Sequence, residues 1–344
     1  MNLRILYVSN GYELPLERVK AYNALQKLAS EIAIVFTFKA GYKRTFFDKL
    51  LYFFKLPTDP CKLNLRLIEK ATEFEPDVIF VVKGVNILPS TILKLKQTGA
   101  KLISWSNDDM FGWHNRSLYY TWGLRYYDLV VTQKSYNCNQ NELPSLGARR
   151  ILFQDKAYDR AMHFPIDNCK NSNFCFDVVF VGTYEKQRLE RLLYLADNGI
   201  IVHVFGWAKN IPAGKYHNLV FHNQHLYGHD YATVFSCSKI SLNFLRRKNR
   251  DLQTSRTIEI PACKGFMLAE RTTEQSRLFI EDKEAVFFER TEELLDKVIY
   301  YLKHIEERNA IAEAGYKRCI NSDYSFDNRM KQILEEVTIK IEAV

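Results

Sequence analysis

Short runs of apolar residues recur along the chain and alternate with stretches in which apolar positions follow a helical period. The clearest runs cover Leu3–Val8, Val78–Val82, Val178–Val181 and Phe266–Ala269. Nearly continuous apolar runs of this length are typical of parallel strands that are buried on both faces. Between the runs, segments such as Glu17–Leu28 and Lys186–Asn198 predict amphipathic helices. The alternation predicts an α/β fold with doubly wound parallel sheets.

The pattern stops near the middle of the chain and then starts again. Residues Ala157–Phe176 show no period and hold Pro165 among Asn and Asp residues, which indicates an interdomain linker. A chain of 344 residues is long enough for two hydrophobic cores. We therefore predict two domains and a final helix, over 1–160, 175–322 and 323–344. Within these domains we predict a helix over Ser135–Leu143 and a polar loop over Asn218–Gly228.

Composition and charge narrow the classes of partner. Hydrophobic residues make up 47% and charged residues 26% of the chain, which is ordinary for a globular protein. The formal net charge of +8 at pH 7 favours anionic partners such as nucleotide diphosphates or an anionic membrane surface. No nucleic-acid-binding motif accompanies the charge, so we expect no nucleic acid as a partner.

Cysteine usage and hydropathy bear on the compartment. The chain has seven scattered cysteines and no CxxC pair, which favours reduced thiols and gives no sign of a metal site. The sequence starts directly with a strand-like run, and no run reaches the roughly 18 apolar residues of a spanning helix. We therefore expect a cytoplasmic protein, either free or in peripheral contact with the inner face of the membrane.

The segment from Lys43 to Leu56 combines aromatic and basic residues. Six aromatic or leucine residues lie close together among four cations, and as a helix the segment would be basic and amphipathic. One interpretation is an interfacial helix that touches a membrane or a lipid-linked acceptor. The other is a helix packed on the core of the first domain, with lysine side chains that extend to solvent.

Asn107, Asp108 and Asp109 follow the predicted strand Lys101–Trp105. Ligands of α/β sheets lie outside the carboxyl ends of strands, so one acid could be a general base toward an acceptor hydroxyl or could bind sugar hydroxyls. The three residues could also form a metal site. A helix N-cap with an acid in the first turn is the structural alternative. Asp108 and Asp109 are therefore candidate catalytic residues.

Gly182 and Gly11 each lie in a turn after a predicted strand. A predicted helix begins at Lys186 soon after Gly182 and holds Arg188 in its first turn. The amide end of this helix and its cations would favour a phosphate group. An ordinary βα turn with a solvated, basic helix start is the alternative. Gly11 is the weaker candidate, because its turn has one glycine and no G-x-G-x-x-G pattern.

A basic patch precedes the segment from Asp251 to Glu270. The patch consists of Arg246, Arg247, Lys248, Arg250 and Arg256. The segment predicts a short helix over Thr257–Cys263, a stop at Gly265 and a buried strand. Cations suit phosphates, and acids suit ribose and sugar hydroxyls, so this mixture favours a nucleotide-sugar site.

The spacing in this segment resembles the donor-sugar segment of group 1 glycosyltransferases, especially the CgeB-like (spore maturation protein-like) branch. The matching positions are Arg256-x-x-Glu259-x-x-Ala262-Cys263-x-Gly265-x-x-Leu268. The resemblance implies that Glu259 is the second Glu of the Glu-x7-Glu motif and binds the nucleotide ribose. Asp251 stands in place of the first Glu, and Lys264 replaces the usual loop glycine.

Further matches extend the resemblance over the second half of the chain. They are Tyr231 with Ser238–Asn243, then Glu293–Leu302, Arg308–Gly315 and Asp323–Arg329. The resemblance implies the GT-B fold, in which two Rossmann-like domains face a cleft and a C-terminal helix crosses back to the first domain. It also implies that the turn from Gly182 to Lys186 contacts the donor diphosphate.

The resemblance implies a glycosyltransferase of the hexosyltransferase type. The donor would be a nucleotide-diphosphate sugar held by the second domain, and the acceptor a hydroxyl of a glycan, a lipid-linked oligosaccharide or a protein. The reaction is expected to be retaining, metal-independent and free of any cofactor besides the donor. A metal-dependent transferase that uses Asn107–Asp109 is one alternative. A non-catalytic GT-B adaptor is the other, suggested by Asp251 and Lys264.

Overall fold

The structure is a computed structural model and describes residues 2–13, 16–43, 45–167, 169, 175–207 and 214–338. These residues form two compact units. Unit 1 holds the residues up to Asp155 together with those from Phe326 onward, and unit 2 holds Lys156–Ser325.

Unit 1 is built around a parallel sheet of six described strands. The strands are β1 (Arg4–Ser9), β2 (Glu31–Phe36), β3 (Val78–Val82), β4 (Lys101–Ser106), β5 (Leu129–Thr132) and β6 (Ile151–Phe153). Their order in the sheet is β2-β1-β3-β4-β5-β6. The helices are α1 (Leu16–Leu28), α2 (Phe46–Phe53), α3 (Leu63–Phe74), α4 (Pro89–Lys96), α5 (Leu118–Gly123) and α12 (Phe326–Thr338).

Alternate residues of the unit 1 strands enter two different cores. Leu6 and Val8 face the core that includes α3, whereas Ile5 and Tyr7 face the core that includes α1 and α12. This two-residue period explains why a strand that is covered on both sides has an almost wholly apolar sequence. The return of the C-terminal helix α12 to the first unit was predicted from the resemblance and is confirmed.

Unit 2 repeats the arrangement with a second parallel sheet. Its strands are β7 (Val178–Val181), β8 (Val202–Phe205), β9 (Leu219–Phe221), β10 (Ile240–Asn243), β11 (Met267–Glu270) and β12 (Val286–Phe288). Their order is β12-β11-β10-β7-β8-β9. The helices are α6 (Lys186–Asp197), α7 (Gly228–Cys237), α8 (Arg256–Ala262), α9 (Thr273–Leu278), α10 (Thr291–Lys303) and α11 (Ile305–Asn321).

Each sheet has a point at which the direction of winding reverses. In unit 1 the reversal lies between β1 and β3, and in unit 2 it lies between β7 and β10. All the paired strands are parallel, so the loops that follow the strands of one sheet leave from the same edge. Ligands of doubly wound sheets bind outside the carboxyl ends of the strands at this reversal. We therefore expect ligand-binding residues in the loops after β7 and β10 of unit 2, and after β1 and β3 of unit 1.

Three local predictions are wrong. Residues Ala157–His163 are not a linker, because Tyr158 is 1% exposed in the core of unit 2 and bridges to Ser325. The rest of the predicted linker lies partly outside the described residues. Ser135–Leu143 forms a short 3₁₀ turn over Ser135–Cys138 rather than an α-helix. The segment Asn218–Gly228, predicted as a polar loop, contains the edge strand β9. Backbone pairing with β8 stabilises this strand even though its flanking residues are polar.

The expectation of reduced thiols is wrong for two of the cysteines. Cys169 and Cys237, 68 residues apart in sequence, form a disulfide in unit 2. No cysteine spacing predicted this pair, because the fold alone brings the two residues together. Among the described residues, no helix has the length and apolar character needed to span a bilayer.

Candidate active site

The loops on either side of the reversal in unit 2 are joined by one side chain, Arg188 of α6. Its Nε donates to the carbonyl of Leu245 at 3.2 Å, and its Nη2 donates to the carbonyl of Phe244 at 2.7 Å. Its Nη1 donates to the carbonyl of Thr183 at 2.9 Å. The guanidinium therefore fixes the loop after β7 against the loop after β10. This arrangement favours a positioning role for Arg188 over direct contact with a ligand.

Burial of Arg188 has an electrostatic consequence. The residue is 5% exposed, and burial lowers the pKa of its guanidinium to about 10, with the Glu185 carboxylate acting in the opposite direction. At neutral pH the group still carries its charge. A positive charge thus lies beneath the two loops, where it would favour an anionic ligand.

Gly182 has no room for a side chain. A Cβ atom at this position would lie 2.8 Å from Cζ of Phe180, and its amide donates to the carbonyl of Phe205 at 3.1 Å. On the neighbouring strand, Gly206 has a φ of +83°, and a Cβ there would lie 3.2 Å from the carbonyl oxygen of Gly182. The backbone after β7 is therefore packed closely against the backbone after β8, which only glycine permits at both positions.

Helix α6 begins at Lys186 beside this turn. The Lys186 side chain is 85% exposed, and its Nζ lies 3.8 Å from Glu190. The preceding residue, Glu185, accepts hydrogen bonds from Nε of Arg246 at 3.4 Å and from the amide of Arg247 at 3.2 Å. Lys186 and Arg246 are thus the accessible cations at the start of the helix, and Glu185 holds Arg246 close to it.

Glu259 lies in α8 and contacts two residues from distant parts of unit 2. The hydroxyl of Tyr231 donates to Oε2 of Glu259 at 2.5 Å, and Nε2 of His163 lies 3.5 Å from Oε1. Glu259 is 3% exposed, and the His163 side chain is 1% exposed. The carboxylate is therefore held in one orientation by a phenol and an imidazole.

The hydrogen bonds of His163 identify its tautomer. The amide of Asp159 donates to Nδ1 of His163 at 2.9 Å, so Nδ1 is the acceptor and Nε2 bears the proton. That proton faces Glu259. His163 was not predicted as a site residue, because it lies in the segment interpreted as a linker. Its only signal in the sequence was the His-Phe-Pro triplet.

Tyr231 is almost fully buried, and burial raises its pKa well above the ordinary value. It therefore stays protonated and remains a donor to Glu259 across the physiological range. The guanidinium carbon of Arg256 lies 5.8 Å from the centre of the Tyr231 ring. The structure thus places Tyr231 beside both Arg256 and Glu259.

The end of α8 explains the requirement for Gly265. A Cβ atom at Gly265 would lie 2.7 Å from the carbonyl oxygen of Phe235 in α7. Lys264, one residue earlier, adopts the left-handed conformation with a φ of 60°, and its Nζ lies 2.5 Å from Glu313. Gly265 is accordingly a packing residue that lets α7 approach α8, and no contact made by its backbone suggests ligand binding.

A buried polar network supports the loop before α8. Nδ2 of Asn243 donates to Thr257 at 3.1 Å and to Gln275 at 3.2 Å, while the Thr254 hydroxyl donates to Oδ1 of Asn243 at 2.8 Å. Asp251 is 7% exposed and accepts from Nδ2 of Asn249 at 2.8 Å. The bonds of Asn243 join β10 to α8 and α9. Asp251 is held by the Asn249 side chain in the loop that precedes α8.

Glu270 at the end of β11 was not among the predicted site residues. It is 4% exposed, lies 2.6 Å from Nη1 of Arg191 and accepts from Nη2 of Arg247 at 2.8 Å. It also accepts from the amide of Leu245 at 2.7 Å. Glu270 thus neutralises two cations and fixes the start of the basic loop after β10. Its position at the last residue of a buried strand was the available signal.

In unit 1, Asp108 follows β4 and forms an ion pair with Lys83, which follows β3. Lys83 has a φ of 63°, an uncommon conformation for a lysine, and its amide donates to the carbonyl of Trp105 at 2.9 Å. The Asp108 and Lys83 side chains are 21% and 24% exposed. A lysine held in a strained conformation beside an acid, at the strand end next to the reversal, makes this pair a candidate functional position.

Asp109 has a different environment. It is 1% exposed, and its Oδ1 accepts from Nδ2 of Asn137 at 3.0 Å and from the amide of Gly112 at 3.3 Å. No helix begins here, because the next helix starts at Leu118 with Ser117 as its N-cap. The N-cap alternative is therefore wrong for both acids. Asp109 organises the loop, and Asp108 is the accessible acid.

Gly11 lies in the bend after β1, on the other side of the reversal in unit 1. Its amide donates to the carbonyl of Ser9 at 3.1 Å, and its carbonyl accepts from the amide of Phe38 at 2.9 Å. These bonds tie the bend to the end of β2. As for metals, the described residues contain no group of three or more His, Cys, Asp or Glu side chains arranged to hold an ion.

Comparisons with known proteins bear on the family and the fold. Residues 186–335 match a family model described as glycosyl transferase-like. This match begins at the first residue of α6 and includes Arg188, Tyr231 and Glu259. The chain has no match among curated proteins.

Solved structures with the GT-B fold are similar over the whole chain. HepE from Anabaena in complex with UDP-glucose has a TM-score of 0.67 at 11% identity, over 98% of this chain and 100% of that one. A glycosyltransferase from Rickettsia africae has a TM-score of 0.67 at 13% identity, over 100% of both chains. Sucrose-phosphate synthase from Thermosynechococcus elongatus has a TM-score of 0.67 at 10% identity, over 99% of this chain and 100% of that one. The predicted GT-B fold is confirmed.

Proposed function

We propose that this protein is a glycosyltransferase that moves a sugar from a nucleotide-diphosphate donor to a hydroxyl group. The observation that carries the proposal is the position of the glycosyl transferase-like match. It covers the helix that joins the two reversal loops and the helix that presents Glu259. Among the similar structures, HepE is in complex with UDP-glucose, which makes a uridine nucleotide the first donor to test.

The donor would be held by unit 2. Lys186, Arg246 and Arg256 are the cations that we propose near the diphosphate, whose charge increases as the sugar leaves. Gly182 would let the backbone approach the phosphate, and Arg188 would position the two loops. Cations in these roles need no metal ion, so we propose a metal-independent reaction with no cofactor besides the donor. Loss of turnover on chelation would favour the metal-dependent alternative at Asn107–Asp109 instead.

Glu259 is the proposed ligand of the ribose. A carboxylate accepts hydrogen bonds from hydroxyl donors, and the ribose hydroxyls are such donors. The contacts with Tyr231 and His163 fix the carboxylate before the donor arrives, which lowers the entropy lost on binding. Tyr231 and His163 are positioning residues in this proposal.

The acceptor would contact unit 1, where Asp108 is the accessible acid. We propose that Asp108 binds an acceptor hydroxyl, that Lys83 holds Asp108 in place and that Asp109 shapes the loop. We also propose retention at the anomeric carbon, with the leaving phosphate as the base, as the CgeB-like resemblance suggests. The hexosyltransferase type and the cytoplasmic location stay predictions.

The test is a thermal-shift panel of nucleotides and nucleotide sugars with wild type, Glu259→Gln and Glu313→Gln. A ligand at 100 times its Kd stabilises the native state by about 2.7 kcal/mol. We expect one nucleotide class to stabilise wild type and Glu313→Gln, since Glu313 pairs with Lys264 away from the proposed ligand. Glu259→Gln keeps an acceptor for Tyr231 but should lose roughly tenfold or more in affinity. Equal shifts for Glu259→Gln and wild type would contradict the role of Glu259.

A non-catalytic binding protein is the second candidate. Asp251 replaces the first Glu of the motif and is engaged by Asn249 rather than open to a sugar. Such a protein would bind the nucleotide sugar in the same panel without releasing nucleoside diphosphate when acceptors are added. Release of nucleoside diphosphate that depends on an acceptor would remove this candidate.

A further inference from the structure

Helix α2 and its C-cap residue expose five large apolar side chains. They are Phe46, Phe47, Leu50, Phe53 and Phe54, with exposed fractions of 82%, 61%, 41%, 75% and 58%. We call these five residues the aromatic surface. No residue of α2 is buried. The interpretation of this segment as a helix packed on the core is therefore wrong, and the exposure needs another reason, because large exposed apolar patches on soluble proteins are often interaction sites.

The orientation of α2 is fixed from its other side. At about 100° per residue, Phe46, Phe47, Leu50 and Phe53 fall within roughly 120° of the helix circumference, and Asp48 points to the opposite side. Asp48 accepts from the Thr58 hydroxyl at 2.7 Å and from the Tyr42 hydroxyl at 2.9 Å. The helix is thus attached to the protein through its acid and presents its aromatic residues outward.

A capping box stabilises the start of α2 without help from the core. The amide of Asp48 donates to the Thr45 hydroxyl, and the Asp48 carboxylate accepts from the Thr45 amide. The hydrogen bond from Thr58, followed by the backbone bond from Thr45, lowers the pKa of Asp48 well below its usual range. The helix is therefore formed before any partner binds, which an eight-residue helix could not achieve by propensity alone.

Basic residues flank the aromatic surface. Lys43 and Lys49 are exposed, and Nζ of Lys55 lies 5.8 Å from the ring centre of Trp113, itself 55% exposed. From residue 43 to residue 56 the sequence has four cations and one acid, and that acid, Asp48, is bonded inward. The surface thus combines outward aromatic rings with positive charge.

We propose that the aromatic surface binds the headgroup region of an anionic lipid bilayer. An interfacial helix buries its apolar residues at the boundary between headgroups and acyl chains, and its lysines are attracted to anionic lipids. Aromatic rings are favoured at this depth. The positive charge that would attract lipid would also repel a second copy of the chain, so charge favours a bilayer over self-association. This inference does not depend on the proposed function.

The test is flotation of the full chain with vesicles in the absence of any sugar donor. One vesicle contains phosphatidylglycerol and phosphatidylcholine, and the other contains phosphatidylcholine alone. The variant Phe46→Gln/Phe53→Gln removes two aromatic rings and keeps good helix formers. The control Leu65→Gln/Leu93→Gln changes two exposed leucines of α3 and α4, which are 49% and 43% exposed. Circular dichroism establishes that all three proteins are equally folded.

We expect wild type and the leucine control to bind the anionic vesicles, with weaker binding at high salt because the lysines are screened. The phenylalanine variant should lose at least about tenfold in partition coefficient. Wild type that binds neither vesicle would overturn the proposal. So would equal loss in the control, or wild type that forms dimers in sedimentation velocity which Phe46→Gln/Phe53→Gln dissociates.

Discussion

Arg188 shows how a charged residue in a ligand-binding region can act through the backbone. Its guanidinium donates to carbonyls of Thr183, Phe244 and Leu245, which lie in two loops that leave adjacent strands. Arginine suits this position because its five N–H donors have a fixed planar geometry. Lysine has the same charge, but its three N–H donors share one nitrogen and cannot reach carbonyls as far apart as those bonded by the three guanidinium nitrogens.

We expect Arg188→Lys to destabilise the protein by about 2–3 kcal/mol, because at least one buried carbonyl would lose its donor. Urea-induced unfolding measures this change, and the thermal-shift panel would also report weaker nucleotide binding. Arg290→Lys is the matched control, since Arg290 is an exposed arginine of the same unit. Equal effects of the two substitutions would show that the bridge is unimportant.

Among the elements, α8 is short and has an unusual end. It contains Pro261 near its C-terminus, and its last turn is followed by Lys264 in the left-handed conformation that normally favours glycine. Lys264 keeps an ion pair with Glu313, which is partly exposed and therefore contributes little. The helix that presents Glu259 thus ends with a residue that is locally unfavourable.

Lys264→Gly should therefore stabilise the protein by about 0.5–1 kcal/mol, because glycine adopts a positive φ without the Cβ clash. Differential scanning calorimetry measures the change. Lys264→Ala is the control, since it removes the ion pair but retains the Cβ, and we expect it to be neutral or slightly destabilising. A Lys264→Gly protein no more stable than Lys264→Ala would refute the conformational explanation.

At the scale of the whole molecule, the chain returns to unit 1 after completing unit 2. Helix α12 packs against α1, and Met330, Ile333 and Leu334 are fully buried in the core that contains Ile5 and Tyr7. An ion pair of 2.9 Å joins Lys27 of α1 to Asp327 of α12. The stability of unit 1 therefore depends on residues more than 300 positions from its first strand.

Ile333→Ala should destabilise unit 1 by about 2–4 kcal/mol through lost burial and a cavity. Hydrogen exchange should show the lost protection in β1 and α1. Lys331→Ala, on the exposed face of the same helix, should change stability by less than about 0.5 kcal/mol. Unchanged exchange in β1 and α1 with Ile333→Ala would contradict the assignment of α12 to this core.

Features that depend on neighbours along the chain could be predicted from the sequence. The apolar runs predicted the buried strands, and helix periodicity located α1 and α6, because burial on both faces and the helical repeat leave local patterns. The glycine in the turn after β7, Gly182, and the amphipathic character of Lys43–Leu56 were also evident from the local sequence. The spaced matches around Glu259 also implied the GT-B fold, through the resemblance to group 1 glycosyltransferases.

Contacts between side chains from distant segments could not be predicted from the sequence. His163 and Tyr231 come from segments 96 and 28 residues before Glu259. The pairing of Cys169 with Cys237, and that of Lys83 with Asp108, likewise join residues that no local pattern connects. The edge strand β9 and the burial of Tyr158 depended on neighbours elsewhere in unit 2. Such contacts depend on how strands and helices are arranged in space, and a local sequence pattern does not encode that arrangement.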